Sequence, residues 1–97
     1  MSSINFLESL ESIISERAKQ PAASSYTADL LHSGTRRIAQ KVGEEAVELA
    51  LAATAGDREE QLDEAADLLY HLLVLLSSLD LQLADAVQVL EARHQAA

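Results

Sequence analysis

Two pairs of acidic residues stand at helical spacing in the middle of the chain. Glu45 and Glu48 are three residues apart, and so are Glu64 and Asp67. Residues at positions i and i+3 share one face of a helix and can hold one ligand between them. If the two helices pack antiparallel, the pairs face one another, and four carboxylates so close require a compensating cation. Because ligands that offer only oxygen favour a hard ion, the sequence predicts a Mg²⁺ site.

Glu45 falls in the middle of an otherwise apolar helical stripe. On a helical wheel this stripe contains Ile38, Val42, Leu49 and Ala53. A carboxylate there is strongly unfavourable unless it is paired or bound to a metal. Two interpretations stay open: an ion pair with a Lys or Arg of a neighbouring helix, or a metal ligand.

Gly43, Glu44 and Asp63 lie beside the acidic pairs. A glycine inside a helix costs about 1 kcal/mol relative to alanine. Gly43 therefore indicates either a close backbone approach, access for a ligand, or simple tolerance. Glu44 and Asp63 could serve as further ligands or could support the ligands. A di-iron bundle would need Glu-x-x-His pairs, and neither acidic pair has a histidine at that position.

The predicted helix around Glu64 has an apolar stripe and an acidic side. The stripe contains Leu62, Ala66, Leu69, Leu73 and Leu76, and the other side contains Glu60, Glu64, Asp67 and His71. The ordinary interpretation of such a side is a solvated face. From Leu68 onward, however, the helix is apolar nearly all round, which predicts that a bundle encloses it and that Glu64 and Asp67 face inward. For His71 we expect core hydrogen bonding or support of a ligand rather than the role of general base.

The charges are distributed unevenly along the chain. Residues 44–67 contain nine acids and one base, whereas residues 17–41 contain five of the seven bases. A basic segment next to a carboxylate–metal cluster suits a polyphosphate substrate, because the metal and the basic groups together neutralise the phosphate oxygens. Exposed basic residues without any such role are also common.

The composition restricts the class of protein. The 97 residues suffice for one small domain, and they include 17 Leu and 17 Ala but only three Gly and one Pro, which favours helix. The net charge of −9 argues against a general grip on nucleic acid. Aromatic residues make up 3% of the chain, so we expect no aromatic platform for stacking bases.

Cysteine usage and hydropathy exclude further classes. The chain has no Cys, which excludes disulfides, thiolate metal sites and Cys nucleophiles. No signal peptide is apparent, and the longest apolar run, residues 72–76, is too short to span a membrane. We therefore expect one soluble, cytoplasmic, all-α domain over residues 1–97.

Caps and breakers divide the chain into five predicted helices. The residues that can cap or end them are Ser2, Ser3, Pro21, Thr27, Gly34, Thr35, Gly56 and Asp57. The first helix should run to about Lys19, the second should end at Gly34, the third near Gly56 and the fourth near Leu79, with a fifth carrying Leu83, Ala86, Val87 and Leu90. The third and fourth helices should form an antiparallel hairpin. Because the fourth is apolar on more than one side, we expect a small helical bundle completed by dimerisation.

A family resemblance rests on these acidic residues and on what flanks them. The order Glu-x-x-Glu, fifteen residues, Glu-x-x-Asp resembles the all-α nucleoside triphosphate pyrophosphohydrolase superfamily. Residues 25–31, 41–48, 63–76 and 91–94 look like phosphoribosyl-ATP pyrophosphohydrolases, and the resemblance covers residues 4–94. Arg36 and Arg37 stand where this family often has lysines, which preserves the charge but not the donor geometry.

The resemblance implies an activity and a cofactor. Phosphoribosyl-ATP would be hydrolysed between its α- and β-phosphates to phosphoribosyl-AMP and pyrophosphate, the second step of histidine biosynthesis. Family members are homodimers that use Mg²⁺. Because this chain is a single domain, the cyclohydrolase often fused to such enzymes is expected on a separate chain.

The resemblance also implies roles for individual residues. The metal ligands would be Glu45, Glu48, Glu64 and Asp67, and either Glu44 or Glu45 would take the proton from the attacking water. Lys41 would contact phosphate, with Arg37, Arg36 and Lys19 as further substrate contacts, and residues 25–27 would border the substrate.

Two alternatives remain at this point. A house-cleaning (d)NTP pyrophosphohydrolase would use the same acidic residues, and only the flanking motifs argue against it. A non-enzymatic helical oligomerisation module would carry the acids as a surface face and would not depend on them for metal binding.

Overall fold

The computed structural model describes residues 3–95, which form five α-helices and one short 3₁₀ turn. The helices are α1 (Phe6–Arg17), α2 (Tyr26–Ser33), α3 (Thr35–Ala55), α4 (Arg58–Ser78) and α5 (Leu83–Gln95), and the 3₁₀ turn is Ala22–Ser24. No strand occurs within residues 3–95. The predicted all-α class is confirmed.

Caps set most of the helix boundaries. Asp57 caps α4 as predicted, because its Oδ1 accepts a hydrogen bond from the backbone N–H of Glu60 at 2.9 Å. Gly34 ends α2 with a φ of +96°, a region that favours glycine. The prediction that Thr27 caps α2 is wrong: Ser25 does so, since its Oγ accepts from the N–H of Ala28 at 3.0 Å.

Two other boundaries differ from the prediction. Thr35 is the first residue of α3 rather than its cap, and Gly34 occupies the cap position. Helix α1 begins at Phe6, not directly after Ser3, and it ends at Arg17 instead of Lys19. The other predicted cap of α1, Ser2, lies outside the described residues.

A two-residue connection joins α3 to α4, and these two helices make the most extensive interhelical contact of the chain. Gly56 fits this turn because a Cβ on it would lie only 3.0 Å from the carbonyl oxygen of Ala52. The side chain of Gln61 donates hydrogen bonds to the carbonyls of Ala52 and Gly56, at 3.1 and 3.3 Å. The turn is therefore tied to the first turns of α4.

The hydrophobic core lies at the other end of this helix pair. Its buried members are Ile14 of α1, Leu30 of α2, Ile38 of α3, and Leu73 and Val74 of α4. These residues combine the beginning of α3 with the end of α4, and α1 and α2 cover them. Helix α5 has no buried residue, and its first turn is tied to α1 by a hydrogen bond from the N–H of Leu83 to Glu11.

The predicted apolar stripes are only partly correct. On α3 the predicted Ile38 is buried, but near the end of the helix Ala52 is buried rather than Ala53, which is exposed. On α4 Leu73 is buried, but Leu62 and Leu69 are 61% and 46% exposed. A helical wheel shows which residues share a side and cannot show which side meets a neighbour. In the first half of α4 it is Glu64 of the acidic side that meets α3, whereas Leu62 and Leu69 face outward.

Within residues 3–95 no single helix is long and apolar enough to cross a membrane. Helices α4 and α5 meet the length and composition criterion only as a pair, and a bend of 104° separates them.

Candidate metal centre

Three of the four predicted ligands come together between α3 and α4. One carboxylate oxygen from each of Glu45, Glu48 and Glu64 lies within 4.8 Å of the others. Glu45 is buried at 6% exposure, Glu64 is half-buried and Glu48 is exposed. The three carboxylates thus form a cluster, here called the acidic cluster, that opens to solvent at Glu48.

Two oxygens of the acidic cluster lack a partner. Oε2 of Glu45 and Oε2 of Glu64 are both buried and accept no hydrogen bond from the residues that the structure describes. An unsatisfied buried oxygen is costly, and carboxylates that converge within 4.8 Å repel one another. A bound cation would remove both penalties.

The electrostatics of Glu64 agree with this geometry. Contact with the Glu48 carboxyl raises the pKa of Glu64, and so do desolvation and the negative charges of Glu48, Asp67 and Glu45. The ionised form is therefore disfavoured at this position in the metal-free chain. The donor set consists of carboxylate oxygens alone, which fits a hard divalent ion such as Mg²⁺.

Lys41 lies at the edge of the acidic cluster. Its Nζ is 3.3 Å from Oε1 of Glu45 and 3.7 Å from Oε1 of Glu44. The pKa of Lys41 is raised, chiefly by the hydrogen bond to Glu45, while desolvation opposes this rise. The prediction that a basic residue pairs with Glu45 is therefore correct, since Lys41 contacts Oε1. The predicted location of that residue on a neighbouring helix is wrong, because Lys41 lies one turn earlier on the same helix.

Three predicted acids lie outside this set. Asp67 is exposed, and it is close enough to raise the pKa of Glu64 although its carboxylate is not among the three that converge. Glu44 is exposed and accepts a hydrogen bond from the side chain of Gln40 at 3.3 Å. Asp63 is exposed as well. The Glu-x-x-His pair of the sequence, Glu91 and His94, lies on α5, and both residues are exposed.

The remaining predicted substrate contacts are exposed side chains. Lys19 pairs with Glu16 at 3.3 Å. Arg36 and Arg37 stand in the first turn of α3, and neither makes an ion pair within residues 3–95. Arg37 is four residues before Lys41 and so shares its side of the helix.

His71 is buried one turn beyond Asp67, in the core hydrogen-bonding position that the sequence predicts. Its Nδ1 is 2.7 Å from the backbone oxygen of Asp67, and its Nε2 is 2.8 Å from Oη of Tyr26. The sequence does not predict the partner Tyr26 on α2, because a contact between residues 45 positions apart leaves no periodic signal.

An open depression of about 320 Å³ lies next to the acidic cluster, toward the Gly56 turn. Its lining includes Glu48 and Glu64 of the acidic cluster together with Leu51, Ala52 and Glu60. The acidic cluster is therefore reachable from solvent on the side away from the hydrophobic core.

Comparison with known proteins places the chain in a family. Residues 7–94 match the family model for phosphoribosyl-ATP pyrophosphohydrolase. Among curated proteins, the chain is similar to histidine biosynthesis bifunctional proteins HisIE. The one from Salmonella typhi is 59% identical over 90 residues, which are 93% of this chain and 44% of that protein. The one from Vibrio cholerae is 56% identical, also over 90 residues, 93% of this chain and 43% of that protein.

A third such protein, from Yersinia pestis, is 56% identical over 91 residues, 94% of this chain and 45% of the relative. The chain thus spans a little under half the length of the curated relatives it matches. Because the family model covers nearly all of the described residues, the chain belongs to the phosphoribosyl-ATP pyrophosphohydrolase family.

Proposed function

We propose that the chain hydrolyses phosphoribosyl-ATP between its α- and β-phosphates, giving phosphoribosyl-AMP and pyrophosphate, and that it needs Mg²⁺ to do so. Family membership supports the substrate and the reaction. One observation carries the metal requirement: the carboxylates of Glu45, Glu48 and Glu64 converge, and Glu45 and Glu64 each have a buried oxygen without a partner among the described residues. The proposal places this reaction in the cytoplasm, as the sequence predicts.

Glu45, Glu48 and Glu64 would hold the ion, and Asp67 would complete the set from one turn further along α4. When bound, Mg²⁺ supplies charge neutralisation and polarisation of phosphate oxygens. Lys41 would add a positive group beside the same oxygens, because its ammonium already borders Glu45. Arg37, Arg36 and Lys19 would meet the outer part of the substrate from exposed positions.

Glu44 is our candidate for the general base. Glu45 is buried and belongs to the acidic cluster, whereas Glu44 is exposed, so solvent water can reach its carboxylate beside Lys41 and Gln40. In the proposed step a water oxygen bonds to the α-phosphorus, and the bond from that phosphorus to the bridging oxygen of pyrophosphate breaks. The water proton passes to the carboxylate of Glu44, which then releases it to solvent or to the departing pyrophosphate.

We further propose that the active protein is a homodimer. Val47 and Leu51 on α3 are 59% and 62% exposed, and Leu62 and Leu69 of α4 are also exposed. Each pair is spaced so that its members share one side of their helix. A chain this short that leaves four large apolar side chains uncovered on two adjacent helices is expected to bury them against a second copy.

The test of the activity is release of pyrophosphate from phosphoribosyl-ATP by purified protein, with Mg²⁺ and with a chelator. The wild type should release pyrophosphate only with Mg²⁺, and both Glu45→Gln and Glu64→Gln should lose at least 100-fold in kcat/KM, because each removes a charged ligand. Glu8→Gln, an exposed acid on α1, is the matched control and should behave as the wild type.

Two results would contradict the proposal. Faster turnover of dNTPs than of phosphoribosyl-ATP would support a house-cleaning pyrophosphohydrolase instead. Unchanged Mg²⁺ affinity in both glutamine variants, together with no pyrophosphate release by the wild type, would support a non-enzymatic helical module.

A further inference from the structure

Two of the three aromatic side chains of the protein meet at His71, beside the acidic cluster. The ring centroid of Tyr26 is 5.8 Å from that of His71, and the centroid of Tyr70 is 5.3 Å from it. Both pairs are edge-to-face, with interplanar angles of 80° and 89°. Such arrangements are favourable for aromatic rings, so the three side chains hold one another in place.

Hydrogen bonds fix the orientation of Tyr26. The backbone oxygen of Asp67 can only accept, so Nδ1 of His71 carries the proton that it donates at 2.7 Å. In the neutral imidazole Nε2 is then the acceptor, and the hydroxyl of Tyr26 donates to it at 2.8 Å. The phenol is thus held at its polar end.

The aromatic ring of Tyr26 is exposed to solvent. Tyr26 is 54% exposed although its hydroxyl is tied into the core, whereas Tyr70 is half-buried and packs against the hydrophobic core. A large apolar ring that is both immobilised and solvent-exposed loses little conformational freedom when it binds a flat ligand. The proposed hydrolysis step assigns no role to the ring of Tyr26.

The ring of Tyr26 lies close to residues of the proposed metal centre. Through His71 the ring of Tyr26 is linked to the backbone of Asp67, the fourth proposed ligand, and Lys41 Nζ is 3.3 Å from Oε1 of Glu45. Arg37 lies one helical turn before Lys41 on the same side of α3. The proposed metal centre therefore has an ammonium group beside its α3 ligands and an exposed aromatic ring tied to its α4 side.

These three kinds of group match the parts of a nucleoside triphosphate bound to a cation, which are the metal-bound phosphates, the remaining phosphate charge and the base. We propose that the exposed face of Tyr26 binds the purine base of the nucleotide, while Lys41 contacts phosphate between the ring and the metal centre. The proposal rests on the proposed function, since it assigns one part of that substrate. Tyr26 is then a specificity-determining residue that distinguishes a nucleotide from a sugar phosphate.

The low aromatic content does not oppose this assignment. A single base needs only one ring, whereas the platforms that are absent here would stack successive bases of a nucleic acid. Base–aromatic stacking contributes on the order of tenfold to a hundredfold in affinity per base, judged from alanine substitutions.

The first experiment compares two variants of Tyr26 with one control. Tyr26→Leu removes the ring, Tyr26→Phe removes only the hydroxyl, and Phe6→Leu removes an exposed ring on α1. For Tyr26→Leu, we expect the KM for phosphoribosyl-ATP and the Kd for AMP to rise by about tenfold to a hundredfold. The Kd for ribose 5-phosphate and for Mg²⁺ should stay within about threefold of the wild type.

The Tyr26→Phe variant separates stacking from the structural role of the hydroxyl. It should retain AMP affinity within about threefold, because the ring remains. Equal losses in Tyr26→Phe and Tyr26→Leu would overturn the proposal, since they would assign the effect to the tie with His71. Unchanged AMP affinity and KM in Tyr26→Leu would overturn it as well, and so would an equal loss of ribose 5-phosphate binding.

A second measurement does not depend on turnover. The chain contains no Trp, so Tyr26→Trp introduces a single reporter at this position. AMP should quench its fluorescence in a saturable way, and ribose 5-phosphate should not. Quenching by AMP in a protein that fails to hydrolyse phosphoribosyl-ATP would retain the base-binding surface while refuting the proposed function. Normal hydrolysis without any quenching would refute the surface alone.

Discussion

The two halves of α4 differ sharply in their surroundings. Residues 58–69, the acidic half, contain no buried residue, whereas residues 70–78, the enclosed half, contain no exposed one. Leu73 and Val74 of the enclosed half join Ile14, Leu30 and Ile38 in the hydrophobic core. The acidic half instead directs Glu64 toward Glu45 and Glu48 of α3.

This difference shows how one helix serves two purposes. The enclosed half supplies folding free energy by burying apolar surface, and it does so with α1 and α2 around it. The acidic half gathers like charges and exposes leucines, and neither feature stabilises an isolated chain. We infer that a cation and a second copy of the chain supply what the acidic half lacks.

Truncation of a leucine in each half should give the largest contrast. Leu73→Ala removes a side chain that is 2% exposed, so the free energy of unfolding should fall by about 2–5 kcal/mol. Leu62→Ala removes one that is 61% exposed and should instead raise the dimer dissociation constant by roughly tenfold. Urea denaturation and sedimentation over a dilution series would measure both quantities.

The opposite pattern would break the comparison. If Leu62→Ala lowered the stability as much as Leu73→Ala and left the dimer unchanged, the acidic half would have to be packed within a single chain.

Mg²⁺ should act through the acidic half alone. At a concentration of 100 times its Kd, an ion that binds only the folded state stabilises it by about 2.7 kcal/mol. The wild type should gain this stability, and Glu64→Gln should lose most of the gain. Without Mg²⁺, Glu64→Gln should melt no lower than the wild type, because the ionised carboxylate is disfavoured there.

Thermal unfolding with and without Mg²⁺ would check this prediction. Glu59→Gln, an exposed acid in the first turn of α4, is the matched control and should keep the full Mg²⁺ response. If Glu64→Gln responded to Mg²⁺ as strongly as the wild type does, Glu64 would not be a ligand.

Two glycines of α3 and its turn should respond to alanine in opposite directions. A Cβ on Gly56 would lie 3.0 Å from the oxygen of Ala52 and 3.1 Å from its Cα, so Gly56→Ala should destabilise the fold by about 1–3 kcal/mol. A Cβ on Gly43 would meet nothing within 4 Å, so Gly43→Ala should stabilise the chain by about 1 kcal/mol.

Thermal unfolding of both variants would measure these effects. A loss of stability in Gly43→Ala would show that another chain or a ligand closely approaches this position in the assembled protein.

The features that the sequence alone predicts correctly are ones that local physics controls, although the caps predicted at Thr27 and Thr35 show that local patterns can also mislead. The cap at Asp57, the end of α2 at Gly34 and the buried position of Glu45 follow from side-chain chemistry, from a positive φ and from helical periodicity. Each depends on residues within a few positions of one another.

Features that depend on the packing of distant elements are less accessible. The predicted orientation of α4, with Leu62 on the buried side, is wrong, because helical periodicity does not indicate which side of the helix meets α3. The convergence of Glu45, Glu48 and Glu64 without Asp67 depends on the rotation of one helix against the other. The contact between Tyr26 and His71 joins α2 to α4 and leaves no local pattern.

The smallest expected effect concerns Tyr70, the first residue of the enclosed half. Burial raises the pKa of its phenol above the usual 10.0, the charge of Tyr26 raises it further, and Arg17 lowers it. Above about pH 10, Tyr70 therefore keeps its proton in the folded state although it has already lost it in the unfolded state. Stability is therefore fully present below about pH 10 and is lost as the pH rises through the folded-state pKa.

Tyr70→Phe should remove this alkaline loss, so its unfolding free energy should fall less steeply than that of the wild type above about pH 10. Arg17→Gln should raise the pKa of Tyr70 further, because it removes the one positive charge that lowers it. Urea denaturation from about pH 8 to about pH 11, together with the ultraviolet absorbance of tyrosinate, would measure both effects. Identical alkaline profiles for the wild type and Tyr70→Phe would mean that solvent reaches this phenol. The enclosed half would then begin later along α4 than Tyr70.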